Sequence, residues 1–260
     1  MRKIFALLSF FLTILLSGCF EMIQESSINN DGSGVYSSSI DMSAMLTMLS
    51  SIGGDDREKF EKMDKDTSFS LQSFKDSVSG LSDKQKQLLN DATFKMVMNM
   101  KDEKFFMTFN FPYTQPSDIP LVYDILKKVK GKTISQQAAS MLPDDGSAAS
   151  QMNNGLGDEN MAPDLDDFFD ITTENGKLTR KVNAERYAKA KEDKDIAGLK
   201  DLGQMGTPVT SKIVFNLPRP ATKAEGKGVT LSDDKMKVTI EATIDEFFDD
   251  PSKFEYVIEY

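Results

Sequence analysis

The sequence predicts an α+β fold: a curved, mostly antiparallel meander sheet with helices packed on one face. Three observations predict it. Residues 94–100 and 105–111 place Phe or Met at every second position on either side of the polar turn Lys101-Asp102-Glu103-Lys104, the period-2 pattern of an antiparallel hairpin with one buried face. The last fifty residues read as successive strands joined by short turns, which favours an antiparallel sheet. Between these regions, residues 117–130 place Ile119, Val122, Leu126 and Val129 at helical spacing.

In chain order, residues 1–18 read as a secretory signal peptide. Arg2 and Lys3 precede an apolar run over 4–16 that only Ser9 and Thr13 interrupt, and two small residues follow. The run is shorter than the ~20 residues a membrane-spanning helix requires. Leu16-Ser17-Gly18-Cys19 resembles the bacterial lipoprotein lipobox, and that resemblance implies lipidation of Cys19 and cleavage ahead of it. The chain then enters β-compatible sequence at once, with two runs flanking Asp31-Gly32, a short-range hairpin signal. With so little tether, the domain is expected to sit close against the membrane. The hexad Asn29-Asn30-Asp31-Gly32-Ser33-Gly34 lacks calcium-loop spacing and reads as a turn.

A short helix is expected over 43–52, stopped by Gly53-Gly54, and residues 67–78 read as strand then turn. Ser82 with Gln85 forms a capping-box signature opening a helix to Leu89. The Met/Phe stripe of the central hairpin supports two readings: sheet core, or an apolar ligand face built by Phe94, Met96, Met98, Met107 and Phe109. Residues 131–165, rich in Gly, Ser, Ala, Asn and Asp, read as a flexible insertion. Order returns with a hairpin over 166–172 and 178–182 around Asn175-Gly176. Asn183 then caps a surface-lying helix running to Lys200. Strands follow around Ile213 to Leu217, over 224–231, over 237–244 and at the C-terminus. Residues 19–260 are expected to form one extracytoplasmic domain.

Composition closes many chemical routes. The chain has no histidine and one cysteine, which removes Ser-His-Asp and Cys-His catalysis and histidine-ligated zinc. With Cys19 lipidated, no thiol nucleophile or internal disulfide is left. No dinucleotide-binding, P-loop or nucleophile-elbow motif is present, and no cofactor is expected. Without residues 1–18 the chain carries 29 basic and 41 acidic side chains, a formal charge of −12. Such a surface repels nucleic acid and anionic head groups.

Two acidic–aromatic stretches stand out. Asp166-Asp167-Phe168-Phe169-Asp170 has the DDxxD form that prenyl-transferring enzymes use to hold magnesium pyrophosphate, and Asp245-Glu246-Phe247-Phe248-Asp249-Asp250 nearly repeats it. Both lie beside strand-like sequence rather than on facing helices. They read better as paired phenylalanines sealing a sheet end, with flanking acids wetted. No metal site is expected; Asp164, Asp166, Asp167 and Asp170 are weak candidates for calcium.

The early Asp-Gly-Ser-Gly hairpin after the lipobox cysteine, the helix-containing middle, and the late strands 213–218 and 237–244 resemble the LppM-like bacterial lipoproteins. The resemblance implies an extracytoplasmic antiparallel sheet with helices and carries no catalytic residues across. The sequence thus points to a non-enzymatic envelope lipoprotein. It would be anchored in a membrane through Cys19 and bind an apolar ligand (a lipid or glycolipid) or an envelope protein. The alternatives are a carboxylate-dependent hydrolase of an envelope polymer and a structural subunit of a surface assembly. Phe20 rather than aspartate follows the cysteine, so the outer membrane is favoured over the inner.

Overall fold

A computed structural model describes residues 20–44, 65–99, 101–141, 165–190, 196, 200 and 208–260. It has the α+β class the sequence predicts. Eight strands form the larger sheet: β1 (Phe20–Ile28), β2 (Gly34–Asp41), β3 (Lys65–Ser70), β4 (Thr93–Asn99), β5 (Lys104–Tyr113), β8 (Val209–Asn216), β10 (Val229–Leu231) and β11 (Lys237–Thr243). Their spatial order is β10-β11-β8-β1-β2-β5-β4-β3. A second sheet orders β6 (Phe169–Glu174), β7 (Lys177–Val182), β12 (Tyr256–Glu259) and β9 (Lys223–Glu225) as β6-β7-β12-β9.

The architecture departs from a simple meander in two places. β1 pairs with β8 in parallel, Gln24 opposite Ile213, and so joins the N-terminal and C-terminal halves of the chain. The C-terminal strands also divide between two sheets: β9 and β12 leave the large sheet, β12 pairing with β7 on one side and with β9 on the other. Strand spacing along the chain carries no information on which partner a strand takes, because that depends on faces that meet only in three dimensions.

The first hairpin forms as expected. Gly32 takes the left-handed conformation, φ +85°. Asp31 accepts hydrogen bonds from Ser33 N (3.0 Å) and Ser33 Oγ (2.6 Å), and these hold its carboxyl below its usual range. The acid of the Asn/Asp hexad is thus occupied in stabilising the turn. Two residues on, Tyr113 crosses Gly34 to donate from its hydroxyl to Ser27 O at 3.2 Å. A Cβ at Gly34 would lie 2.1 Å from Ser27 O and 2.4 Å from the Tyr113 hydroxyl. Gly34→Ala is therefore expected to cost about 1–3 kcal/mol, the range for overpacking, seen as a lower urea midpoint with an unchanged slope.

The central hairpin pairs Phe94 with Phe109 and Met96 with Met107. Its inward side chains join those of β2, β8 and β11 in one core, closed by α3 (Ile119–Met141), which contributes Ile119, Val122, Ile125, Leu126 and Val129. The opposite face of the sheet is polar: Ser37 Oγ donates to Asn110 Oδ1 (2.7 Å), and Ser39 and Thr108 hydroxyls lie 3.0 Å apart. One apolar and one polar face is the usual economy of an antiparallel sheet. Before the hairpin, α1 (Phe74–Ser77) and α2 (Asp83–Leu88) follow β3, and α2 opens on the predicted Ser82–Gln85 capping box.

Three local expectations are corrected. The helix predicted over 117–130 continues to Met141, into the stretch assigned to a flexible insertion. Residues 132–141 contain no proline and several good helix formers, so the ~1 kcal/mol cost of Gly131 does not stop it. Residues 165–168 form a 3-10 turn rather than the start of a strand. Residues 244–249 form α5 (Ile244–Asp249), opened by a Thr243–Glu246 capping box in which each side chain bonds the other's backbone N–H. That box was present in the sequence as Thr-x-x-Glu. Asn183 caps α4 (Ala184–Ala188) as predicted, accepting from Arg186 N at 3.0 Å. The helix expected over 43–52 is described only at residues 43 and 44, which are helical, and most of the insertion and most of the stretch to Lys200 lie outside the described residues.

Candidate functional site

The five side chains proposed as an apolar ligand face are closed in. Phe94 and Phe109 are fully buried, and Met96, Met98 and Met107 are at most 4% exposed. Phe94 stacks between Phe69 and Phe109 at centroid distances of 5.0 and 4.7 Å. They are sheet core. The alternation that picked them out reports which face is buried, and cannot say whether protein or ligand covers it.

A concave surface lies elsewhere among the described residues, where the chain returns after α3. An open cleft of about 300 Å³ has Pro120, Tyr123, Asp124 and Lys127 of α3 on one wall. The other wall is Asp166, Asp167, Phe169, Asp170 and Ile171, with Arg186 of α4 at its edge. The 3-10 turn at 165–168 sends consecutive acids in different directions. Asp167 turns out to pair with Lys127. Asp170, the first exposed position of β6, pairs with Arg186 and accepts from Asn183 Nδ2 at 3.1 Å. Arg186 also donates to Phe169 O at 2.8 Å, which ties α4 to the wall. Asp124 has no ion pair among the described residues.

Asp166 turns inward. Its Oδ1 lies 2.6 Å from Arg180 Nη1, with the two side chains 5% and 2% exposed, and its Oδ2 accepts from Gln24 Nε2 at 2.7 Å. Arg180 stands directly opposite Ile171 and Tyr256 in the second sheet, with its guanidinium 4.0 Å above the Phe169 ring. Burial pushes the Tyr256 phenol far above its ordinary pKa; Arg180 pulls it back and Asp166 raises it further. This ion pair fastens β1 of the large sheet, the 3-10 turn and the second sheet at one point. Sequence reasoning missed Arg180 and Gln24. Their signal was a charged residue and an amide at inward positions of alternating strands, where an apolar side chain is the norm.

The three described calcium candidates do not converge on one point. Asp164 lies outside the described residues. Asp166, Asp167 and Asp170 diverge to Arg180, Lys127 and Arg186, whereas a calcium ion needs six or more oxygens converging on one point. Among the described residues no three acidic side chains are grouped to hold a metal. The two acidic–aromatic stretches do meet, but through their rings. Phe247 of α5 lies 5.6 Å from Phe168, 6.2 Å from Phe169 and 5.8 Å from Phe254. Tyr187 closes the cluster edge-on at 5.3 Å and donates its hydroxyl to Phe247 O at 2.8 Å. The paired phenylalanines make a second small core under the end of the large sheet, with Val209, Ala242 and Ile244 in it.

No family model, curated protein or solved structure matches the chain. The functional reading therefore rests on its own residues. Among the described residues no helix is long and apolar enough to cross a membrane, and Cys19 itself lies outside them.

Proposed function

We propose that this chain is a lipid-anchored envelope lipoprotein that acts by binding, without a catalytic step, its domain held directly against the membrane. The carrying observation is the position of β1. Phe20 N already donates to Pro208 O at 3.1 Å, and β1 pairs with β2 on one side and β8 on the other. A lipidated Cys19 would thus be separated from a paired central strand by no linker. The acyl chains would supply the affinity, ~0.8 kcal/mol for each buried methylene, and the missing tether would restrict the domain to the surface. The absent aspartate after Cys19 supports the outer membrane as its address.

The site that favours binding over hydrolysis is the cleft. A carboxylate-dependent hydrolase needs one carboxyl to deliver a proton and another free to attack or to activate water. Here Asp166, Asp167 and Asp170 each hold a basic partner, which leaves Asp124 as the cleft carboxylate with no ion pair among the described residues. A greasy ligand is disfavoured because the Met/Phe stripe is already covered. The partner that suits the accessible surface is polar: an envelope protein, or the head group of a glycolipid. The anchor is tested with Cys19→Ser in a lipoprotein-processing bacterial host. The variant is expected to lose acyl labelling and move from the membrane to the soluble fraction, with an unchanged circular dichroism spectrum. Retention in the membrane overturns the reading.

A further inference from the structure

A separate cavity of about 30 Å³ has Gln24, Ser38, Lys130, Arg180 and Ser211 among its lining residues. Two buried polar atoms of its lining residues, Arg180 Nε and Gln24 Oε1, have no hydrogen-bond partner among the described residues. We propose that this cavity is a binding site for one ordered water, which accepts from Arg180 Nε–H and donates to Gln24 Oε1. The large majority of buried polar groups in folded proteins are paired, and an orphan donor and an orphan acceptor on residues lining one small polar cavity are what a structural water satisfies.

Neither atom can find a protein partner by a simple rotation. The Gln24 amide nitrogen is fixed by its bond to Asp166 Oδ2, because flipping the amide would set two acceptors against each other. Arg180 is held from two sides, by Asp166 at 2.6 Å and by the Phe169 ring at 4.0 Å, so turning its Nε elsewhere would break both contacts. The space is sufficient, since a water needs ~10–15 Å³ of accessible volume and two to four polar partners. Ser38, itself 6% exposed, and Ser211 offer a hydroxyl for the second proton. An organic ligand, for which pockets start at ~300 Å³, does not fit. With the water in place, Gln24, Asp166, Arg180 and the solvent molecule close a ring of polar contacts, one of them the Asp166–Arg180 ion pair, and the ring sets where Arg180 stands.

A crystal structure of the folded protein that resolves waters is expected to show a fully occupied peak within about 3.2 Å of both Arg180 Nε and Gln24 Oε1. An empty site, an anomalous signal from chloride, or Arg180 Nε bonded to a protein carbonyl overturns the proposal. In solution, water-proton and oxygen-17 relaxation dispersion counts long-lived internal waters. Gln24→Met is expected to show one fewer than the wild type, and an equal count likewise overturns it. If the variant does not fold, the wild-type crystal decides.

Discussion

Asp166→Ala is expected to destabilise the protein by about 3–5 kcal/mol, the cost of leaving one member of a buried ion pair without its partner. Arg180 is 2% exposed, so its charge cannot reach water once the carboxylate is gone, and Gln24 Nε2 loses its acceptor at the same time. A sum over contacts would miss the main term, which is the desolvated guanidinium left behind. The double variant Asp166→Leu with Arg180→Met removes both charges and is expected to recover most of the loss, since apolar replacement of a whole buried pair is often close to neutral. Urea unfolding of the two single variants and the double variant completes the cycle. A double variant as unstable as the worse single would mean that the pair itself, rather than the unpaired charge, carries the stability. Asp167→Ala serves as the control, because its pair with Lys127 is half in solvent and exposed pairs contribute at most about 1 kcal/mol.

Phe247→Ala is the second large effect, about 3–5 kcal/mol. The ring is fully buried and touches Phe168, Phe169, Tyr187, Phe248 and Phe254, so five neighbours border the space it would vacate. Phe248 is only half-buried, and Phe248→Ala is expected to cost distinctly less. Thermal unfolding of both variants followed by near-ultraviolet circular dichroism tests the contrast. Equal losses would mean that the second core is not centred on Phe247.

The two predictions concern the same region, and that region was the least legible beforehand. The period-2 runs of β4 and β5 and the 3.6-period run of α3 could be read directly, because each pattern reports on its own element's buried face. The capping boxes of α2 and α5 and the turn at Asp31-Gly32 are equally local, although the α5 box went unused beside an attractive strand pattern. Asp166 was singled out from the sequence for the wrong reason. It belongs to an acidic run, but its role follows from Arg180, fourteen residues on, and Gln24, far earlier in the chain. Neither spacing has a periodicity that points to it.

The Leu16–Cys19 motif, the missing histidines and the alternating strands of the large sheet are properties of consecutive residues, and reading them requires no partner. The parallel joining of β1 to β8, the departure of β12 to a second sheet, the closure of the Met/Phe stripe by α3 and the divergence of three neighbouring aspartates are different in kind. Each depends on which distant surface arrives opposite. Burial, ion pairing and the loss of a ligand pocket are energies between elements, settled only when the whole chain has collapsed around them.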